Sequence, residues 1–382
     1  MSQTTVSPAT VPTSSNANGN ISTATAHAAA TAGTAEAAGQ ARGVGPAPVT
    51  FAKALNTALA DAMTEDPTVV VFGEDVGTLG GVFRITDGLT ARFGTDRCFD
   101  TPLAESGIVG MAVGMAMNGL RPVVEMQFDA FAYPALEQIF SHVAKMHNRT
   151  RGAVSLPMVI RIPYGGGIGG VEHHCDSSEA YYAHTPGLKI YTPATVADAY
   201  RMLREAISSD DPVIFFEPKK LYWSKESLDL AALQDAAGPQ ARAEDRAEGR
   251  AVLARSGTDA TIVTYGPSVP TALAAAAAAE AEGRSVAVLD LRTLVPLDDD
   301  AITEAVSATG RAVVVAESQG FVSVASELVA RIQERCFHRL AAPVRRVTGF
   351  DIPYPAPKLE HHHLPSVDRI LDALDDLQWE DR

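Results

Sequence analysis

From Val49 onward the chain alternates stretches of helical apolar spacing with short apolar runs bounded by turn residues, the pattern of a parallel sheet covered by helices on both faces. The runs Val69-Val70-Val71-Phe72, Val123-Val124-Glu125-Met126, Met158-Val159-Ile160-Arg161, Lys189-Ile190-Tyr191 and Val213-Ile214-Phe215-Phe216 predict strands of a first α/β unit. Runs at 260–265, 286–290 and 312–315 predict strands of a second, with helices over 271–282 and 299–308 between them. Each strand of the first unit ends in polar residues: Glu74 and Asp75, Gln127 and Asp129, Tyr164 with the glycines at 165–167, Thr192, and Glu217. In open α/β sheets the ligand crevice lies outside the carboxyl ends of the strands, so these ends are expected to line one site.

The stretch 224–251 is rich in Ala, Glu, Asp, Gln and Arg, lacks a β-type apolar run, and reads as a linker between the units. Residues 1–45 carry almost no large apolar side chain and are expected to be disordered. Their first Lys or Arg is Arg42, so they read as neither a secretory signal nor a transit peptide. The expected division is therefore a tail at 1–45, a first domain at 46–223, a linker at 224–251 and a second domain at 252–382.

A length of 382 residues with 46% hydrophobic and 20% charged residues fits a two-domain globular protein. The net charge of -15 argues against a nucleic-acid or anionic-membrane surface. No window approaches the roughly 20 apolar residues of a membrane span. Cys98, Cys175 and Cys336 follow no paired-ligand spacing, which fits a reducing cytoplasm better than a disulfide framework or zinc site. Neither unit holds a Gly-Lys-Ser/Thr phosphate loop or a strand-linked G-x-G-x-x-G, so a self-sufficient nucleotide site is not expected.

The most pointed segment runs from Asp100 through Thr101, Pro102 and Glu105 to Gly107, Gly110 and Gly114. Asp100, Thr101 and Pro102 read as turn and cap residues, so a helix is expected to begin just before Glu105. Glycine in a helix interior costs about 1 kcal/mol against alanine, so the glycine face implies something packed very closely against it. A capping glutamate on a tightly packed core helix accounts for the same residues. The pair His173-His174 beyond the glycines at 165–170 is the best general acid/base candidate, since imidazole titrates near neutral pH. His184 reads as a structural turn residue, and the triplet His361-His362-His363 as a solvated loop rather than a metal tract.

Several runs carry a resemblance: Phe72-Gly73-Glu74-Asp75-Val76, Gly80-Gly81-Val82-Phe83-Arg84, Thr101-Pro102-Leu103-Ala104-Glu105, Phe215-Phe216-Glu217-Pro218-Lys219 and the run from Asp290-Leu291-Arg292-Thr293 to Asp298. They resemble the beta subunit of the thiamine-diphosphate-dependent 2-oxoacid dehydrogenase first component. In detail they are closer to the branched-chain (2-oxoisovalerate) enzyme than to the pyruvate enzyme. The resemblance implies two doubly wound α/β domains, a thiamine-diphosphate pyrimidine-binding domain followed by a transketolase C-terminal-like domain. It implies oxidative decarboxylation of branched-chain 2-oxoacids with reductive acylation of a lipoyl group.

By position in the motif, Glu105 matches the glutamate that hydrogen-bonds the aminopyrimidine ring of thiamine diphosphate. The resemblance likewise makes Glu74 a second acid near the cofactor, Gln127 and Phe131 residues that cradle the pyrimidine, and His174 the active-site histidine. Relatives often have tyrosine where this chain has Phe131. A potassium site common in the family matches Met158, Ala206, Ile207, Ser209 and Asp211, although relatives often carry aspartate and asparagine at the last two positions. The Gly-Asp-Gly motif that holds magnesium and the diphosphate is absent, as Gly-Asp occurs nowhere in the chain. An alpha subunit is therefore expected to supply Mg2+ and diphosphate ligands in an α2β2 heterotetramer, and the last domain to dock onto a lipoyl acyltransferase core. A pyruvate or acetoin dehydrogenase beta subunit shares the catalytic positions, and a non-catalytic assembly subunit is expected to lose Glu105 or His174.

Overall fold

The computed structural model describes residues 47–236 and 246–377; the tail expected at 1–45 lies outside them. Strands are numbered along the chain: β1 (Ala47–Thr50), β2 (Val69–Gly73), β3 (Cys98–Asp100), β4 (Arg121–Glu125), β5 (Val159–Tyr164), β6 (Lys189–Tyr191) and β7 (Val213–Pro218) come first. They are followed by β8 (Lys225–Leu228), β9 (Val252–Arg255), β10 (Ala260–Thr264), β11 (Val286–Asp290), β12 (Thr293–Val295), β13 (Ala312–Gln319) and β14 (Arg345–Gly349). One sheet has seven strands in the order β12-β6-β7-β5-β4-β2-β3, a second has five in the order β14-β13-β10-β11-β9, and β1 pairs with β8 in a small ribbon.

Both large sheets are parallel except at one edge, where β12 and β9 run antiparallel to their neighbours. The continuous apolar runs explain this arrangement: β2, β10 and β11 are buried at every position, as strands covered on both faces must be. The two units interlock more than a linker between independent domains implies. Strand β12 leaves the second unit and pairs with β6 at the edge of the first sheet. The Asp290-Leu291-Arg292-Thr293 turn makes that crossing. Its Arg292 has φ +60°, donates to Asp198 at 2.6 Å, and accepts the Thr192 N–H at 2.8 Å.

Three expectations need correction. The stretch 224–251 opens with ordered structure, because Lys225–Leu228 pairs antiparallel with Ala47–Thr50 and a helix follows at Leu230–Ala236; β8 alternates exposed and half-buried positions without the apolar run that marks a buried strand. Glu217 does not face a crevice. It is fully buried and paired with Arg161. Thr192 is also buried, hydrogen-bonded to the Tyr164 hydroxyl at 2.6 Å.

Candidate functional site

The carboxyl ends of β2 and β4 carry Glu74 and Gln127, which are half-buried and next in space through Asp75: the Gln127 amide donates to the Asp75 carboxylate at 3.0 Å. Glu105 arrives beside them because the Thr101 N–H donates to the Gly73 carbonyl at 3.0 Å, pinning the segment ahead of Glu105 to the end of β2. The helix spans Glu105–Met117, with its first bond from the Ile108 N–H to the Ala104 carbonyl. Its start agrees with the sequence, but its cap does not. Ala104 occupies the cap position without a side-chain bond, while Asp100 ends β3 and accepts from the Gly77 N–H at 2.6 Å and the Thr78 hydroxyl at 2.8 Å.

Glu105 is buried in that first turn. Glu74 has its pKa raised by burial and by the negative charges of Asp75 and Glu105, so the acids share one electrostatic environment. One face of the helix, through Ile108, Val109, Ala112 and Ala116, enters the core. The opposite face is bare. Gly107, Gly110 and Gly114 are exposed, with Leu103, Met111 and Met117 among them, and a Cβ at Gly110 or Gly114 would meet nothing within 4 Å. The close contact expected from the glycines is therefore not made among the described residues.

The helix packs against the turn Ala130–Ala135, which carries Phe131, and that turn in turn packs against Glu172–His174. Phe131 lies over His173 with ring centroids 5.8 Å apart and meets His174 edge-on at 5.3 Å; Phe128 approaches His174 at 4.3 Å. His174 is half-buried and its Nδ1 is buried with no hydrogen-bond partner. Burial, with His173 and Lys219 adding positive charge nearby, lowers its pKa, which favours neutral imidazole at neutral pH.

Lys219 escaped the site expectations although its run was singled out. Its ammonium is buried without a hydrogen-bond partner and its pKa is depressed by burial, an effect opposed by Asp129. Asp129 is itself buried, accepts from the Ser178 N–H at 2.8 Å, and has its pKa raised by burial. A lysine straight after a strand-ending Glu-Pro was the available signal.

The potassium positions come together but not as a cation cage. The Ile207 and Ser209 carbonyls accept from the Arg121 guanidinium at 3.2 and 2.9 Å, and Lys189 lies 3.2 Å from Ser209 Oγ and 3.3 Å from Asp211. The Met158 carbonyl takes the Val213 N–H at 3.0 Å, and that of Ala206 takes the Ser209 N–H at 3.3 Å. Two side-chain cations thus sit on the Ile207, Ser209 and Asp211 oxygens, while the Met158 and Ala206 carbonyls take backbone N–H groups. His361 and His362 are exposed, as a solvated loop requires, but His363 is buried and ends the helix Glu360–His363. No group of three or more potential metal-ligating side chains occurs among the described residues.

Residues 47–224 match the family model "Transketolase, pyrimidine binding domain" and 249–370 match "Transketolase, C-terminal domain". The chain is 54% identical over 85% of its length to the pyruvate dehydrogenase E1 component subunit beta of Leifsonia xyli, covering 93% of that protein. It is 50% identical over 86% of its length to the 3-methyl-2-oxobutanoate dehydrogenase subunit beta of Mycobacterium tuberculosis, covering 91% of it. The chain belongs to the family of 2-oxoacid dehydrogenase first-component beta subunits. A 2-oxoisovalerate dehydrogenase subunit beta from Bacillus subtilis is 42% identical over 86% of this chain and 98% of its own. A solved structure titled "Split gene transketolase, inactive beta4 tetramer" superposes with a TM-score of 0.68 over 86% of this chain and 98% of that one, at 23% identity, and so shares the fold.

For a beta subunit the bare glycine face has a direct consequence. Gly110→Ala is expected to leave the isolated chain folded and to stabilise it by up to about 1 kcal/mol, since the added methyl meets nothing. Gly110→Leu is expected to fold equally well yet fail to assemble with a partner seated there. Thermal melting and size-exclusion chromatography with light scattering check the two halves. Unimpaired assembly of the leucine variant would show that this face stays open.

Proposed function

We propose that this chain is the beta subunit of a branched-chain 2-oxoacid dehydrogenase, acting with an alpha subunit in an α2β2 heterotetramer on 3-methyl-2-oxobutanoate and related acids. The observation that carries the reading is Glu105, buried at a helix start beside Glu74, with Gln127 and the Phe131 and His174 rings brought in by the same strand ends. These groups fit the pyrimidine half of thiamine diphosphate: a buried carboxylate for a ring nitrogen, an aromatic face for stacking, and no protein motif for the diphosphate. When bound, thiamine diphosphate supplies the electron sink for decarboxylation of a 2-oxoacid.

In this reading the chain's own residues bind and orient. Glu105 would hydrogen-bond the ring nitrogen from its buried position, where a charge-assisted hydrogen bond is strong. Glu74 keeps a second acid next to it. Phe131 stacks, and His174, neutral at neutral pH, is a donor or acceptor for the substrate carboxylate and the acyl group bound for lipoamide. Mg2+ and the diphosphate belong to the alpha subunit, and the acyl acceptor is the lipoyl group of an acyltransferase core. The free, buried thiols of Cys98, Cys175 and Cys336 suit a reducing cytoplasm.

A pyruvate dehydrogenase beta subunit is the second reading, favoured by the 54% identity to a protein of that name. The test is to purify the chain with its alpha subunit and compare thiamine-diphosphate-dependent turnover of 3-methyl-2-oxobutanoate and pyruvate. A higher kcat/KM for the branched acid is expected. A preference for pyruvate would replace the substrate and keep the site.

A further inference from the structure

The glycine-rich loop that leads to His174 is held from outside. It begins after β5, and its ends are tied where the Gly165 N–H donates to the Asp176 carbonyl at 2.8 Å. Gly165, Gly167 and Gly169 have φ of +80°, +83° and +67°, conformations that only glycine adopts freely and that leave neighbouring N–H groups in need of acceptors. The acceptors are two carboxylates from more than 150 residues later. Glu360 takes the Gly167 N–H at 3.2 Å and the Gly169 N–H at 3.2 Å, and also receives the Tyr354 hydroxyl at 2.9 Å. Glu317, on β13, takes the Gly166 N–H and pairs with Lys220 at 3.0 Å. The contact is close: a Cβ at 166 would overlap the Tyr354 hydroxyl, so any larger residue there would have to displace that ring.

His174 needs such support. Its Nδ1 has no hydrogen-bond partner of its own, so nothing bonded to that nitrogen fixes the ring; the backbone of the loop and the flanking rings of Phe128 and Phe131 do. We propose that Glu360 is a positioning residue for His174: the second α/β unit clamps the glycine loop through this carboxylate and so sets where the imidazole stands. The assignment rests on the role given to His174 above. Glu317 supports the same loop from a buried position, but Glu360 is half-buried and replaceable with less risk to folding.

The test uses the full chain assembled with its alpha subunit. Glu360→Gln leaves one acceptor oxygen facing three donors, whereas Glu360→Asp keeps both oxygens one methylene short. Displacing a reacting group by about 1 Å costs up to roughly 100-fold. Glu360→Gln is therefore expected to lower kcat/KM about 10- to 100-fold, Glu360→Asp to recover part of the loss, and the exposed His361→Ala to change nothing. In a His174→Ala background Glu360→Gln should cost less than about 2-fold, the non-additivity of two residues acting through one group. An equal loss in both backgrounds, or no loss in the first, would overturn the proposal. Hydrogen exchange separates this failure from that of the functional reading. Amides of 165–174 should exchange at least about 10-fold faster in Glu360→Gln, and unchanged exchange would reject the clamp whatever the kinetics. Full turnover by His174→Ala would instead reject the role given to that histidine.

Discussion

Replacing Glu105 by glutamine is expected to lower thiamine-diphosphate-dependent turnover by about 100- to 10,000-fold, the range that a positioned proton-transferring group contributes, while the chain still folds and assembles. Glutamine has nearly the same shape, so the buried first turn of the helix Glu105–Met117 keeps its packing. What it loses is the ability to hold a charge or exchange a proton with a ring nitrogen. The neighbouring acid reports the same change: with Glu105 neutralised, one of the causes that raise the Glu74 pKa disappears, so that pKa should fall. Steady-state kinetics and circular dichroism on the assembled variant check both halves. Turnover within about 3-fold of the parent enzyme would remove Glu105 from the chemistry.

Arg161→Leu is expected to destabilise the chain by about 3–5 kcal/mol, because it strips the partner from buried carboxylates. The guanidinium is fully buried, with Glu125 at 2.7 Å on one side and a two-pronged contact to Glu217 at 2.6 and 3.0 Å on the other. The Tyr222 hydroxyl donates to Glu217 at 2.7 Å as well. Three adjacent strands, β4, β5 and β7, are tied by this cluster, and burial together with Glu217 already pushes the Glu125 pKa up, against the pull of Arg161. Adding Glu125→Gln and Glu217→Gln should recover part of the loss, since those carboxylates are then no longer unpaired charges. Urea denaturation measures the change, and a loss below about 1 kcal/mol would show that water reaches the cluster.

The buried sheets were legible because their strands are continuous apolar runs, such as Val69–Gly73 and Val286–Asp290, whose residues have no other stable place. Edge strands were not. Residues Lys225–Leu228 and Val252–Arg255 are largely exposed or half-buried, and Thr293–Val295 has only three residues, so local pattern does not reveal the partner that makes each a strand. At the site, position along the motif singled out Glu74, Glu105, Gln127, Phe131 and His174, and short strand-end loops bring them to one side of the first sheet. Hydrogen-bond partners were hidden. Asp100 reads as a cap but bonds to Gly77 and Thr78, more than 20 residues earlier; Glu360 reads as part of a loop but holds glycines almost 200 residues away. The partners at the potassium positions were hidden in the same way, since Arg121 and Lys189 reach the Ser209 oxygens from other strands.

In the proposed function this chain carries only the pyrimidine half of a cofactor site completed by another subunit. Titration calorimetry of thiamine diphosphate with Mg2+ into the chain alone, the alpha subunit alone and the assembled pair tests it directly. Saturable binding to the pair and none to the chain by itself is expected. Stoichiometric binding by the isolated chain would contradict it.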